Sequence, residues 1–295
     1  MPPACVATAP AGINQLAISE GGRRIAYGST AMEVTLLERG RTLWQRSFDS
    51  TDDKIRPTQR LRGIAFNANA DKLFLAAADE VLALDADTGR TLWSYQPPRS
   101  FGFLIISPLT LDCYGDSVLG AFDNGSVALW DDDGRIQALW SDNDAPRLMF
   151  LREDGLAVGT DSFCLSTWRP REHRRESRVV LPERAYTMAA SRTGDLAVTR
   201  SLHAVTLWDT AHGRGLASIP TDVGFPALAM SSNGGAIALS RSGGVRVVDR
   251  NTAPMLDVNL DEEALSLRLD ESGQTLLVGT ASGRLLHIDL PDREQ

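Results

Sequence analysis

Arginines carry the most pointed chemistry in this sequence. Arg62, Arg99, Arg147 and Arg184 recur at similar places, each at or just before the start of an apolar run, with Lys54, Arg56 and Arg60 crowded ahead of the first. A guanidinium offers a planar fork that matches a carboxylate or a phosphate. A second group, Arg169, Arg171, Arg174, Arg175 and Arg178, lies within RPREHRRESR, with two Glu but no Phe, Tyr or Trp to stack on a base. Nucleic-acid sites want such stacking groups, so this cluster reads as a solvated hairpin. A net charge of −8 also argues against wholesale nucleic-acid binding.

Other reactive types are sparse. His173, His203, His212 and His287 each stand alone, with no second His or Cys at metal-ligand spacing. Cys5, Cys113 and Cys164 lie far apart, and an odd, thin count suits a reducing cytoplasm. The acidic groups Asp49–Asp53, Asp131–Gly134 and Asp261–Glu263 lack the alternating oxygen ligands and fixed Gly of a calcium loop. Neither a phosphate-binding loop nor a nucleophile elbow is present. No apolar run approaches the ~20 residues of a membrane span. The opening MPPACVATAP has no basic stretch or long apolar core of an export signal. A cytoplasmic setting, bacterial in style, with no resident cofactor or metal, is the expectation.

The elements that would position these arginines form a repeat. The apolar residue before a recurring Asp, or its equivalent, falls at Leu37, Leu84, Trp130, Trp168, Trp208, Val248 and Ile288, with successive steps of 47, 46, 38, 40, 40 and 40. Each unit runs apolar stretch, Gly/Asn/Asp/Ser turn, apolar stretch, turn, marker stretch, turn, final stretch. Alternation of period two with β-branched residues means strands, and the turn residues tolerate tight hairpins. Four short antiparallel strands per ~40 residues predict an all-β, seven-bladed β-propeller. The units lie near 16–50, 62–98, 103–143, 147–184, 187–222, 227–263 and 265–290. The last has only three runs, so the spare run Ala4–Ala9 is expected to supply its outer strand and close the ring. Trp130, Trp168 and Trp208 are expected to be buried between blades.

Two families are resembled. VALWD and VTLWD resemble the third strand of WD-repeat propellers, and ALDADTGRTLWSY resembles the repeat of quinoprotein-type propellers. The Gly-His pair of WD repeats is missing from every unit, so their His–Ser/Thr–Trp–Asp network is not expected, and the Trp residues should hold blades by packing alone. The WD-repeat resemblance implies a non-catalytic scaffold for other proteins. The quinoprotein resemblance implies a rival, an axial-pocket dehydrogenase using pyrroloquinoline quinone and calcium; a metal-centred lactonase or hydrolase is a second form of that rival. A nucleic-acid or phosphate binder working through the Arg loops is the other alternative.

On a propeller, the links between blades share one face around the channel mouth. Arg56, Arg60, Arg62, Arg99, Arg147 and Arg184 then form a basic arc over blades one to five, while Asp222, Asp261, Glu262 and Glu263 make the same face acidic over blades six and seven. The arc suits an acidic segment of a partner protein. The cluster from Arg169 to Arg178 is expected on the opposite face.

Overall fold

The computed structural model describes residues 3–48, 61–77, 79–97, 106–141, 146, 148–161, 163–221 and 227–291. Seven four-stranded antiparallel sheets form a ring, six of them built from consecutive strands, inner to outer. These six blades span 13–47, 61–95, 108–141, 148–180, 187–220 and 228–259. The seventh takes three strands from 264–289 and its outer strand from Ala4–Thr8. Ala4 pairs with His287 and Thr8 with Arg284, and Ala9 N–H donates to Gly283 O at 2.7 Å. The expected closure is therefore present, and it satisfies backbone groups that an open edge would leave exposed.

One irregularity recurs and explains the repeat marker. In each of the first six blades the outer strand carries one extra residue, opposite the third-strand marker. The bulge throws that extra residue outward, which accounts for Leu43, Leu92 and Leu216 being 41%, 49% and 45% exposed. The marker itself turns into the seam between blades. All seven markers are buried, and each belongs to a different one of seven apolar clusters that join neighbouring blades. Trp130, Trp168 and Trp208 are 0%, 3% and 6% exposed, as expected.

The expectation that tryptophans act by packing alone is corrected. Trp208 Nε1 donates to Thr199 Oγ1 at 2.8 Å, so a Thr–Trp bond persists in blade five. The outer-strand Trp44 and Trp93 donate to the next blade, to Ala86 O at 2.8 Å and Asp132 O at 3.0 Å. An indole N–H withdrawn from water needs an acceptor, and the neighbouring turn supplies one. Both rings lie on a glycine of that turn. A Cβ added at Gly89 would come within 2.9 Å of Trp44, and one at Gly134 within 2.8 Å of Trp93. The Thr-Gly and Leu-Trp halves of the repeated motif thus meet across adjacent blades. Ala138 holds the corresponding place of blade three, and Trp140, two residues further along that strand, stacks on His173 at 5.7 Å between ring centroids.

Candidate interaction face and axial channel

The antiparallel order puts inter-blade links and second-to-third-strand turns on one face, here called the upper, and the remaining turns on the lower. Two arginines of the expected arc are described. Arg62 is exposed on the inner strand of blade two, at a register shift between Leu61 and Gly63. Arg184 is exposed on the link to blade five, its guanidinium 5.2 Å from the Tyr186 ring centroid. Arg56, Arg60, Arg99 and Arg147 lie outside the described residues, as do Lys54 and Asp222. Of the acidic sector, Asp261 and Glu263 are exposed, while Glu262 is half-buried and engaged. It accepts the Ser282 N–H at 3.0 Å and pairs with Arg284. Burial pushes its carboxyl up, but the Ser282 and Arg284 hydrogen bonds outweigh that and hold it below the usual carboxylate range.

The upper face also carries apolar residues that the sequence reading missed. Phe163 and Val180 of blade four and Leu202 of blade five are 58%, 75% and 45% exposed. Phe163 and Leu202 sit in second-to-third-strand turns, and Val180 ends an outer strand just before the link that holds Arg184. Leu181 N–H donates to Phe163 O at 2.7 Å, which sets Phe163 beside the end of that strand. A lone Phe or Leu inside a polar turn, as in DSFC and SLHA, was the available signal.

The second arginine cluster is split rather than gathered in one loop. Only Pro170–Glu172 and His173 form the lower-face turn, whereas Arg174, Arg175 and Arg178 belong to the outer strand Arg174–Val180. Arg169 and Arg174 share Glu176, at 2.7 and 2.5 Å. Arg175 lies over Trp168, 5.6 Å from the ring centroid. Arg178 reaches Cys164 Sγ at 3.2 Å and Asp161 at 3.7 Å, toward the upper face. Arg171 is exposed in the turn.

A cavity of about 660 Å³ runs down the axis, lined by the seven inner strands. Its lower part holds a charge clamp. Arg192 of blade five forks onto both oxygens of Asp112 in blade three, with Nη2 to Oδ1 at 2.6 Å, and also donates to Leu151 O in blade four. Asp112 Oδ2 further accepts the Leu151 N–H at 2.8 Å. Both side chains are buried, so three blades are tied by one pair whose polar atoms are satisfied. Burial opposes the Arg192 charge, but Asp112 outweighs it and raises the guanidinium's pKa. Cys113, on the same wall, is 6% exposed, and burial pushes its thiol far up, away from nucleophilic use.

The donor set does not fit the calcium-bound quinone that the quinoprotein resemblance implied. Among the described residues the carboxylates lining the channel are Asp112, Glu20 and Glu271. Asp112 is spent on Arg192, and the other two are exposed, at the first-to-second-strand turns. Among the described residues no three His, Cys, Asp or Glu side chains are grouped to hold a metal ion. No described helix is long and apolar enough to cross a membrane.

Comparison with known proteins places this geometry in context. The model of a family described as "Outer membrane protein assembly factor BamB" matches residues 15–292. No curated protein matches the chain. Among solved structures, the crystal structure of RRP9 WD40 repeats superposes with a TM-score of 0.80 at 15% identity, covering 98% of each chain. The structure of U3-55K gives a TM-score of 0.80 at 14% identity, again over 98% of each chain. At such identities the two structures establish the shared propeller fold.

Proposed function

The chain belongs to the BamB-type propeller family, and from that premise we propose that it is a non-catalytic protein-interaction scaffold, one subunit of a multiprotein assembly. The observation that carries the reading is the exposed apolar group Phe163, Val180 and Leu202 on the upper face, with Arg184 at its margin. Exposed apolar residues beside an arginine supply the core and rim of an interface. The family's description, an assembly factor, points the same way. The partner is a protein with an acidic segment, met by the arc of Arg56, Arg60, Arg62, Arg99, Arg147 and Arg184. We place the complex in the cytoplasm, supported by three free thiols, Cys5 exposed and Cys113 and Cys164 buried.

The test is purification of the tagged chain with its bound proteins from its own cell. The wild type should retain a stoichiometric partner, more weakly as salt rises. Phe163→Asp with Leu202→Asp should release it, and so should Arg99→Glu with Arg147→Glu, while both variants melt like the wild type. A partner held equally by both folded variants would remove the upper face from the interaction.

A further inference from the structure

Among the described residues four arginines line the axial channel, Arg62, Arg192, Arg200 and Arg268, and the last has no counterpart at its level in the other blades. Counted by strand register from the marker of each blade, Arg268 of blade seven stands level with Ala17, Ala65, Asp112, Phe150, Ala189 and Ala229 of the other six. All seven line the cavity. Four of them are alanines, which leaves room at this level of the axis. Only two are charged, and Asp112 is already taken by Arg192 and the Leu151 N–H. Among the described residues Arg268 makes no hydrogen bond and no ion pair.

Arg268 is half-buried in the channel. A guanidinium held among seven sheets is costly without an anion, and its surroundings here add to the cost. Burial lowers its pKa first, and the charge of Arg192 lowers it further, with Asp112 and Glu271 only partly offsetting. The rest of the wall is mixed. Leu148, Leu228 and Met230 are apolar, while Tyr114, Tyr186 and Thr187 offer hydroxyls. A volume of about 660 Å³ falls within the range of small-ligand pockets.

We propose that the axial channel binds a small organic monocarboxylate, its carboxylate on the Arg268 guanidinium and its apolar body against the inner strands of blades four and six. A single unmatched cation calls for a single negative charge, which selects a monocarboxylate over a phosphate dianion. The apolar wall selects an organic acid over a simple inorganic anion. The site is independent of the upper-face reading: it needs no partner, and the partner purification above does not probe it.

The test uses the full chain and defined probes. Benzoate and 3-phenylpropanoate should raise the melting temperature saturably, and calorimetry should give one site per chain. Benzamide, which keeps the ring and loses the charge, should bind at least about tenfold more weakly, as should inorganic phosphate. Arg268→Gln should abolish the benzoate effect while raising the melting temperature of the unliganded chain, because an uncompensated charge has gone. Arg184→Gln should change neither. The comparison of benzoate with benzamide is made on wild-type protein, so it stands even where Arg268→Gln fails to fold. Equal binding of benzoate and benzamide, an undiminished benzoate effect in folded Arg268→Gln, or no saturable effect of either acid up to about 50 mM would each overturn the proposal.

Discussion

The seams joining blades one, two and three differ from those joining blades four, five and six. In the early seams every layer is tied. Arg24 reaches from blade one to Ala70 O at 2.7 Å and to Asp87 in blade two, while Trp44 docks on the turn at Gly89. Lys72 reaches from blade two to Asp132 and Asp133 at 3.0 Å, and Trp93 docks on the turn at Gly134. Phe74, Trp93, Tyr95, Phe122 and Trp130 then form one chain of ring contacts, the closest 5.0 Å between centroids. Further round the ring the docking thins. Val179 replaces the tryptophan against Gly213, and between blades five and six a residue as small as Ala217 packs in the seam. The fold is the same at both places, so the tryptophan dock is not needed to close a seam. Polar bonds persist there, Arg152 pairing with Asp195 between blades four and five and Arg192 N–H donating to Ser232 O at 2.8 Å between blades five and six. Directional bonds add registry where the sequence spends tryptophan and charge.

The sharpest way to break this comparison is at the shared marker position. Trp130 is fully enclosed and touches rings from two blades, although its Nε1 finds no acceptor among the described residues. Trp130→Ala should cost about 3–5 kcal/mol. Val248→Ala, at the equivalent place between blades five and six, should cost about 1–2 kcal/mol, since fewer atoms leave the seam. Denaturant melts of both variants measure the difference. Equal losses would mean that the aromatic seam relaxes around the cavity and is no more specific than the aliphatic one.

A smaller effect separates docked from undocked turns. Gly134 and Gly40 occupy the same third-to-outer-strand turn in blades three and one, with φ of 84° and 75°. An added Cβ would strike Trp93 at Gly134 but meet nothing within 4 Å at Gly40. Gly40→Ala should therefore cost only the left-handed backbone penalty, about 1–2 kcal/mol. Gly134→Ala adds displacement of the indole and should cost about 1–3 kcal/mol more. Indole fluorescence should shift to the red in Gly134→Ala and stay unchanged in Gly40→Ala. A silent Gly134→Ala would show that Trp93 is held by its hydrogen bond rather than by the glycine contact.

The same contrast explains what could be read from the chain. The markers were legible because a bulge opposite six of the seven fixes their orientation, and a residue buried in every repeat must be apolar in every repeat. Ring closure was legible because three runs in the last unit leave one strand unaccounted for. The docking of Trp93 on Gly134 was not, since the motif looks like a hairpin within one blade while its halves meet across two. Arg268 was hidden for another reason. In LSLRLDESG it has the alternation of an ordinary half-exposed strand, and alternation cannot tell solvent from a central channel. Phe163 was missed because a turn residue is assumed to be solvated, and the turn's Asp and Ser met that assumption.

The smallest effect concerns acid. Lys72 bridges blades two and three, and Asp133 is held below the usual carboxylate range by its hydrogen bond and charge attraction to Lys72. A carboxyl whose pKa is lowered on folding contributes stability that is complete above its unfolded value, about 4, and lost as pH falls through the lowered one. In blade six, Asp257 is also held low: burial raises it, but the Arg246 and Arg241 hydrogen bonds outweigh burial. That cluster lies within one sheet, so protonating it separates no blades. Acid should therefore loosen the seam between blades two and three before the interior of blade six. Amide exchange at pH ~3 against pH ~6 should rise earlier around Asp132–Gly134 than around Arg246. Lys72→Met removes the partner whose charge made Asp133 costly to protonate, so its stability should fall less steeply below pH ~4. Parallel acid limbs for wild type and Lys72→Met would mark the ion pair as a solvated contact, and Trp93 alone would then hold this layer of the seam.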